Sequence, residues 1–162
     1  MTRLKRPNAL PRSAKAWHCW AVTLSQWALL GFVAWTLLLL VGTIGLTRIS
    51  AIIKKEARPN QFNPAVPHGS ERYQRSMRAH MNCVENLPVF AALVLLGAQL
   101  GVQSASFQAA ALAVLPARVG QSVAHVASGR NTAVLVRFTF FSVQLLCFAW
   151  MLTSIVEQAL SR

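Results

Sequence analysis

The sequence predicts an all-α integral membrane protein, an antiparallel bundle of four transmembrane helices. Three observations carry that prediction. Long stretches lack both acids and bases: residues 16–47 contain no Asp, Glu, Lys or Arg, and residues 138–156 form a second uncharged run. A spanning helix needs only about 20 mainly apolar residues. The basic residues gather beside those runs, in the N-terminal tail and between positions 48 and 78, where cationic side chains meet anionic lipid headgroups. The later segments are joined by short turns at 101–104 and 128–132, which set successive helices antiparallel.

The chain of 162 residues suits a single domain. It is 54% hydrophobic and sets four acids, all glutamates, against sixteen Lys and Arg, for a net charge of +12. That excess does not point to nucleic acid, because no recognition motif accompanies it. Cys19, Cys83 and Cys147 are odd in number, widely spaced and without a CxxC pair. Such a set builds neither a disulfide framework nor a zinc site, and no metal is expected. Cys83 reads as a small buried thiol.

Residues 1–19 form a basic tail containing Pro7 and Pro11. The apolar run after it is too long for a signal peptide and reads as a retained first helix, at about 20–46. Trp17, Trp20 and Trp27 suit the membrane interface and Trp35 the packed interior. Residues 48–70 make a hydrophilic connection, where Pro64, Pro67 and Pro59 forbid a continuous helix. His68 within it has no partner at ligand spacing. The second helix is expected at 71–100, bent by Pro88. The third is expected at 105–128 and the fourth at 133–160, so that residues 20–162 make one membrane domain. In the fourth helix Phe138, Phe140, Phe141, Phe148 and Trp150 read as packing and lipid contacts.

The chemistry concentrates at the foot of the second helix, in ERYQRSMRAHMNCVENLPVF (71–90). At about 100° per residue, Arg72, Arg75, Arg78, Asn82, Glu85 and Asn86 fall within roughly 140° of arc, while Tyr73 and His80 point away. Ionisable groups at membrane depth are costly and face a bundle interior or a wet cavity. A lone carboxylate on a stripe of three arginines suits an ion-bearing ligand, or else a solvated foot holding lipid headgroups. In the third helix Arg118, Gln121, Ser122 and His125 recur at helical spacing. Glu85 is the carboxylate at comparable depth in the neighbouring helix, so an Arg118–Glu85 pair is expected.

The run from Arg78 through Ala79, His80, Asn82, Glu85, Asn86 and Pro88 to Phe90 resembles the signature of the MAPEG family, membrane-associated proteins in eicosanoid and glutathione metabolism. The likeness is to its bacterial-type members. It implies a left-handed four-helix bundle assembled as a homotrimer, with glutathione held in a U shape between subunits as co-substrate. It implies a bacterial inner membrane as the location. Glutathione transferase or peroxidase chemistry on a lipophilic electrophile follows, with a non-enzymatic lipid-binding or scaffold member as the alternative. A four-helix exporter would want a glutamate in its first helix, and there is none here.

Carried onto this sequence, the resemblance gives Arg75 and Arg78 to the carboxylates of the tripeptide and Asn82 to its amides. Glu85 takes the ammonium or holds Arg118, and Arg118 and His125 complete the binding set. Eicosanoid-forming members carry a tyrosine where His125 stands, and Tyr73, the sole tyrosine, lies elsewhere. The thiolate-stabilising arginine is matched best by Arg137, a few residues late, with Arg130 second. Basic residues flank both sides of the first helix equally, so the positive-inside rule does not orient the chain. Cytosolic glutathione and the arginine stripe place the 48–70 loop on the cytoplasmic side.

Overall fold

The computed structural model describes residues 22–58, 62 and 69–161, and these are helical with no strand among them. The basic tail 1–19, Trp17, Cys19, Trp20, His68 and the three loop prolines lie outside the described residues.

The first rod begins at α1 (Leu24–Leu39), passes through a π-helical stretch (Leu40–Gly45) and ends as α2 (Leu46–Ile53). Both ends differ from the expected 20–46. At the start, Thr23 and Gln26 form a reciprocal capping box that satisfies the free N–H groups of the first turn. At the other end, Arg48 does not stop the helix because its charge finds company. Its Nε donates to the hydroxyl of Tyr73 at 2.6 Å, and the guanidinium lies 5.2 Å from the ring centre of Phe62. The two helical turns beyond the expected boundary are thereby tied to the next rod.

α3 (Glu71–Gln99) is capped by Ser70, and continues through Pro88. Gly101, at a φ of 68° that an L side chain resists, turns the chain into α4 (Ala105–Ala127). α5 (Asn131–Leu160) starts two residues before the expected 133, with Arg130 as its cap. Side-chain and backbone contacts fix the directions. Arg75 Nε donates to the carbonyl of Val126 at 3.3 Å, and Gly97 meets Phe107, so α3 and α4 are antiparallel. Gln121 meets Gln144 and Gly120 meets Phe140, so α4 and α5 share one end. Ser25 bonds Gln108 and Phe32 lies beneath Arg118, which runs α1 parallel to α4. The four rods therefore alternate in direction, and α4 packs against all the others.

Phe32, Phe90 and Phe148 tie α1, α3 and α5 together in the middle, with ring centres 5.6 and 6.0 Å apart. Trp35 packs against this core, and Cys83 is a buried free thiol. Outward, the rods are apolar: Leu30, Leu37, Val41, Leu135, Leu146 and Trp150 are all more than half exposed. An apolar exterior around a core containing polar groups is the arrangement of a protein solvated by lipid. Three rods, Leu24–Ile53, Glu71–Gln99 and Asn131–Leu160, are long and apolar enough to cross a membrane. α4, at 23 residues, is not among them. The chain is an integral membrane protein on these helices.

Between membrane helices little hydrophobic driving force remains, so close packing around small residues does the work. A methyl at Gly97 would collide with the Phe107 ring, with both residues buried in the α3–α4 seam. Gly97→Ala should destabilise the protein by about 1–3 kcal/mol through overpacking. Gly42→Ala, with 3.8 Å of clearance on α1's continuation, should not. Thermal unfolding in detergent compares the two.

Candidate functional site

The rods deliver nearly all their polar chemistry to one end, where α1–α2 finishes, α3 starts, α4 finishes and α5 starts. Two adjoining cavities open there along the α3–α4–α5 face. The outer one, about 250 Å³, is lined by Glu71, Gln74, Arg75, Arg78 and Gly129. The inner one, about 380 Å³, has Asn82, Glu85, Asn86 and Gln121 on its polar side. Its apolar side is Val134, Phe138 and Phe141. His125 and Arg137 line both, so they form the waist of a single groove.

Each side chain is there for a local reason. Arg75, Arg78, Asn82, Glu85 and Asn86 follow one another at three- and four-residue steps along α3. Arg75 is the best held: it bonds the Val126 carbonyl and pairs with Glu71 at 3.3 Å. Asn86 Nδ2 donates to the Asn82 carbonyl at 2.8 Å, which orders the inner wall. Arg78 is exposed and has no ion-pair partner among the described residues. Glu85 is exposed to the groove. His125 lies one turn nearer the end than Gln121 on the same face of α4, and Arg137 reaches in from the second turn of α5.

Six of the residues singled out from the sequence thus meet in one groove: Arg75, Arg78, Asn82, Glu85, His125 and Arg137. Arg118 does not join them. It is fully buried, the largest such side chain, with its guanidinium 5.4 Å from the Phe32 ring centre. None of its three nitrogens has a hydrogen-bond partner among the described residues. The expected Arg118–Glu85 pair is therefore not formed. Arg118 turns toward α1 and Cys83, while Glu85 faces α5 across the groove. Equal depth on neighbouring helices did not mean a shared seam.

The predicted stripe also divides. Arg72 lines a separate groove against α1, with Trp35, Leu39 and Thr43. Arg130 lines neither cavity. Tyr73 and His80 sit off the groove, Tyr73 as the buried acceptor for Arg48. Two members escaped the sequence reading. Gln121 was noted only for its spacing. Gln144, fully buried, donates its Nε2 to Gln121 Oε1 at 3.0 Å and to the Phe140 carbonyl at 3.1 Å. A glutamine amid the apolar run 138–156 was the signal that could have found it.

The family model of MAPEG matches residues 24–156, which reach into every helix and take in both cavities. The chain belongs to the MAPEG family. No curated protein matches it. Family membership places the chain among the membrane-associated proteins in eicosanoid and glutathione metabolism.

Because Glu85 is exposed and bonded to no arginine, Glu85→Gln should leave thermal stability within about 0.5 kcal/mol of the unaltered protein. Arg118→Leu is a different case, since it removes a buried, unbonded guanidinium. The Glu85 and Arg118 changes should combine additively, as expected of residues that share no contact. A double-mutant cycle in detergent, read by thermal unfolding, measures this.

Proposed function

We propose that this MAPEG chain is a glutathione-dependent transferase or peroxidase acting on lipophilic electrophiles, built from four spanning helices as a homotrimer. The observation that carries the reading is the groove itself, cationic in its outer part, mixed at its waist and apolar on one inner wall. Glutathione bears two carboxylates, one ammonium and a thiol. Arg75 and Arg78 offer guanidinium forks to the carboxylates. Glu85 is an acceptor for the ammonium, and Asn82 pairs with the peptide amides. His125, at the waist, is within the same groove for a further hydrogen bond.

Arg137 is assigned to the sulfur. A fixed cation in a site of low dielectric favours the thiolate over the thiol, and the thiolate is the nucleophile. Phe138, mostly exposed, and Phe141 give a lipophilic substrate an apolar approach from the bilayer to that sulfur. The groove lies on the outside of the single chain. A neighbouring copy covering it would exclude water and strengthen every electrostatic contact within.

Arg137→Ala should abolish most of the ultraviolet absorbance of bound glutathione thiolate in the purified, assembled protein. A rise of one unit in the thiol pKa corresponds to about 1.4 kcal/mol of lost stabilisation. Arg130→Ala should leave the signal intact. A full thiolate signal and turnover in Arg137→Ala would remove Arg137 from this role. The absence of any thiolate signal in the unaltered protein would favour the non-enzymatic lipid-binding reading.

A further inference from the structure

Resting on that reading of the groove, we infer that Gln121 supplies a fixed neutral hydrogen-bond donor to the oxygen of the electrophile, and that Gln144 is the residue that positions it. The inference starts from the orientation of two amides. A peptide carbonyl only accepts hydrogen bonds, so the end of Gln144 that meets the Phe140 carbonyl must be its NH₂. The second hydrogen of that NH₂ goes to Gln121, so the end of Gln121 facing it must be the oxygen. The NH₂ of Gln121 then turns the other way. It has no protein acceptor among the described residues and is not enclosed, and Gln121 lines the inner cavity. Gln144 Oε1 is left buried, with no partner among the described residues, by this arrangement.

The chemistry suits the location. Gln121 lies one helical turn deeper than His125, on the cavity that also presents Phe138 and Phe141. A donor there meets the second substrate, while the waist holds the sulfur. In addition to an α,β-unsaturated carbonyl, the sulfur's electron pair forms the C–S bond at the β-carbon. The C=C pair shifts toward the carbonyl and leaves negative charge on its oxygen, which the Gln121 N–H stabilises until water protonates the enolate carbon. Epoxide opening places the same charge on an alkoxide oxygen as the C–O bond breaks. Displacement of chloride from an alkyl chloride develops no such oxygen. The structure therefore favours oxygen-centred electrophiles, enones and epoxides, over alkyl halides.

The test measures turnover of a long-chain enone and of a benzyl chloride by the assembled protein, together with the thiolate absorbance. Gln121→Leu should lower the enone-to-chloride ratio of kcat/KM by about 10²-fold, the usual effect of removing one oxyanion donor, with the thiolate signal retained. Gln144→Leu should lower the ratio less, because the Gln121 amide then loses its anchor but not its N–H. Gln144→Glu, which accepts from Gln121 and turns its NH₂ inward, should lower it as far as Gln121→Leu. An unchanged ratio with an intact thiolate overturns the inference alone. Loss of the thiolate signal in Gln121→Leu also overturns it, placing Gln121 on the sulfur instead. No thiolate in the unaltered protein overturns the glutathione reading and this inference with it.

Discussion

Polar side chains on these helices cannot face lipid, and that exclusion shapes the bundle around α4. Lipid offers no hydrogen bonds, so each polar group must find a seam between helices or a wet cavity. α4 packs against every other rod, as α3 does, and carries the deepest polar load: Arg118, Gln121 and Ser122, all buried. Its three seams receive different groups. Arg118 goes to the side of α1 and Cys83, Ser122 approaches Cys83 at 3.7 Å, and Gln121 goes to α5. The groove lies where α3, α4 and α5 leave a seam open.

Arg118 shows how magnitudes divide in such a seam. A desolvated guanidinium over an aromatic face gains about 2 kcal/mol, whereas leaving a buried charge without a partner costs several. The Phe32 contact does not offset the burial. What holds the side chain in place is its burial in the core beside Phe32. Glu85 could have relieved the cost, but it stands on the part of α3 that turns to α5. The carboxylate is thereby left free for the groove.

Hydropathy made the helices legible, because uncharged runs and short turns report directly on spanning segments. It failed at Arg48, where a charge was read as the end of a helix. Tyr73 and Phe62, both distant in sequence, supply the contacts that let the helix continue to Ile53. The π-helical stretch at Leu40–Gly45 left no mark in the periodicity, since it rearranges backbone bonds without altering the apolar pattern. Within the site, the α3 residues were legible because one helix fixes their mutual angles. The partners across seams were not, since periodicity gives a residue's face on its own helix and not which neighbour occupies that face. The Arg118–Glu85 pair failed for that reason, as did the division of Arg72 from Arg75. Gln144 could be valued only once Gln121 stood opposite it.

The charge balance of the groove explains why it suits an anion. Arg75, Arg78 and Arg137 converge around His125, against Glu85 and a Glu71 already engaged by Arg75. Like charges on the order of 7 Å apart at an effective dielectric of about 20 repel by roughly 2 kcal/mol per pair. Water and salt relieve that repulsion while the groove is open, as they do for any exposed cluster. Covering the groove removes the relief, and the cluster then needs a bound anion to take its place. A ligand with two carboxylates, one ammonium and a developing thiolate brings two net negative charges to this set. In the proposed function, the cations that would hold its ends would also favour ionisation at its centre, so that binding and activation of the sulfur would draw on one electrostatic source.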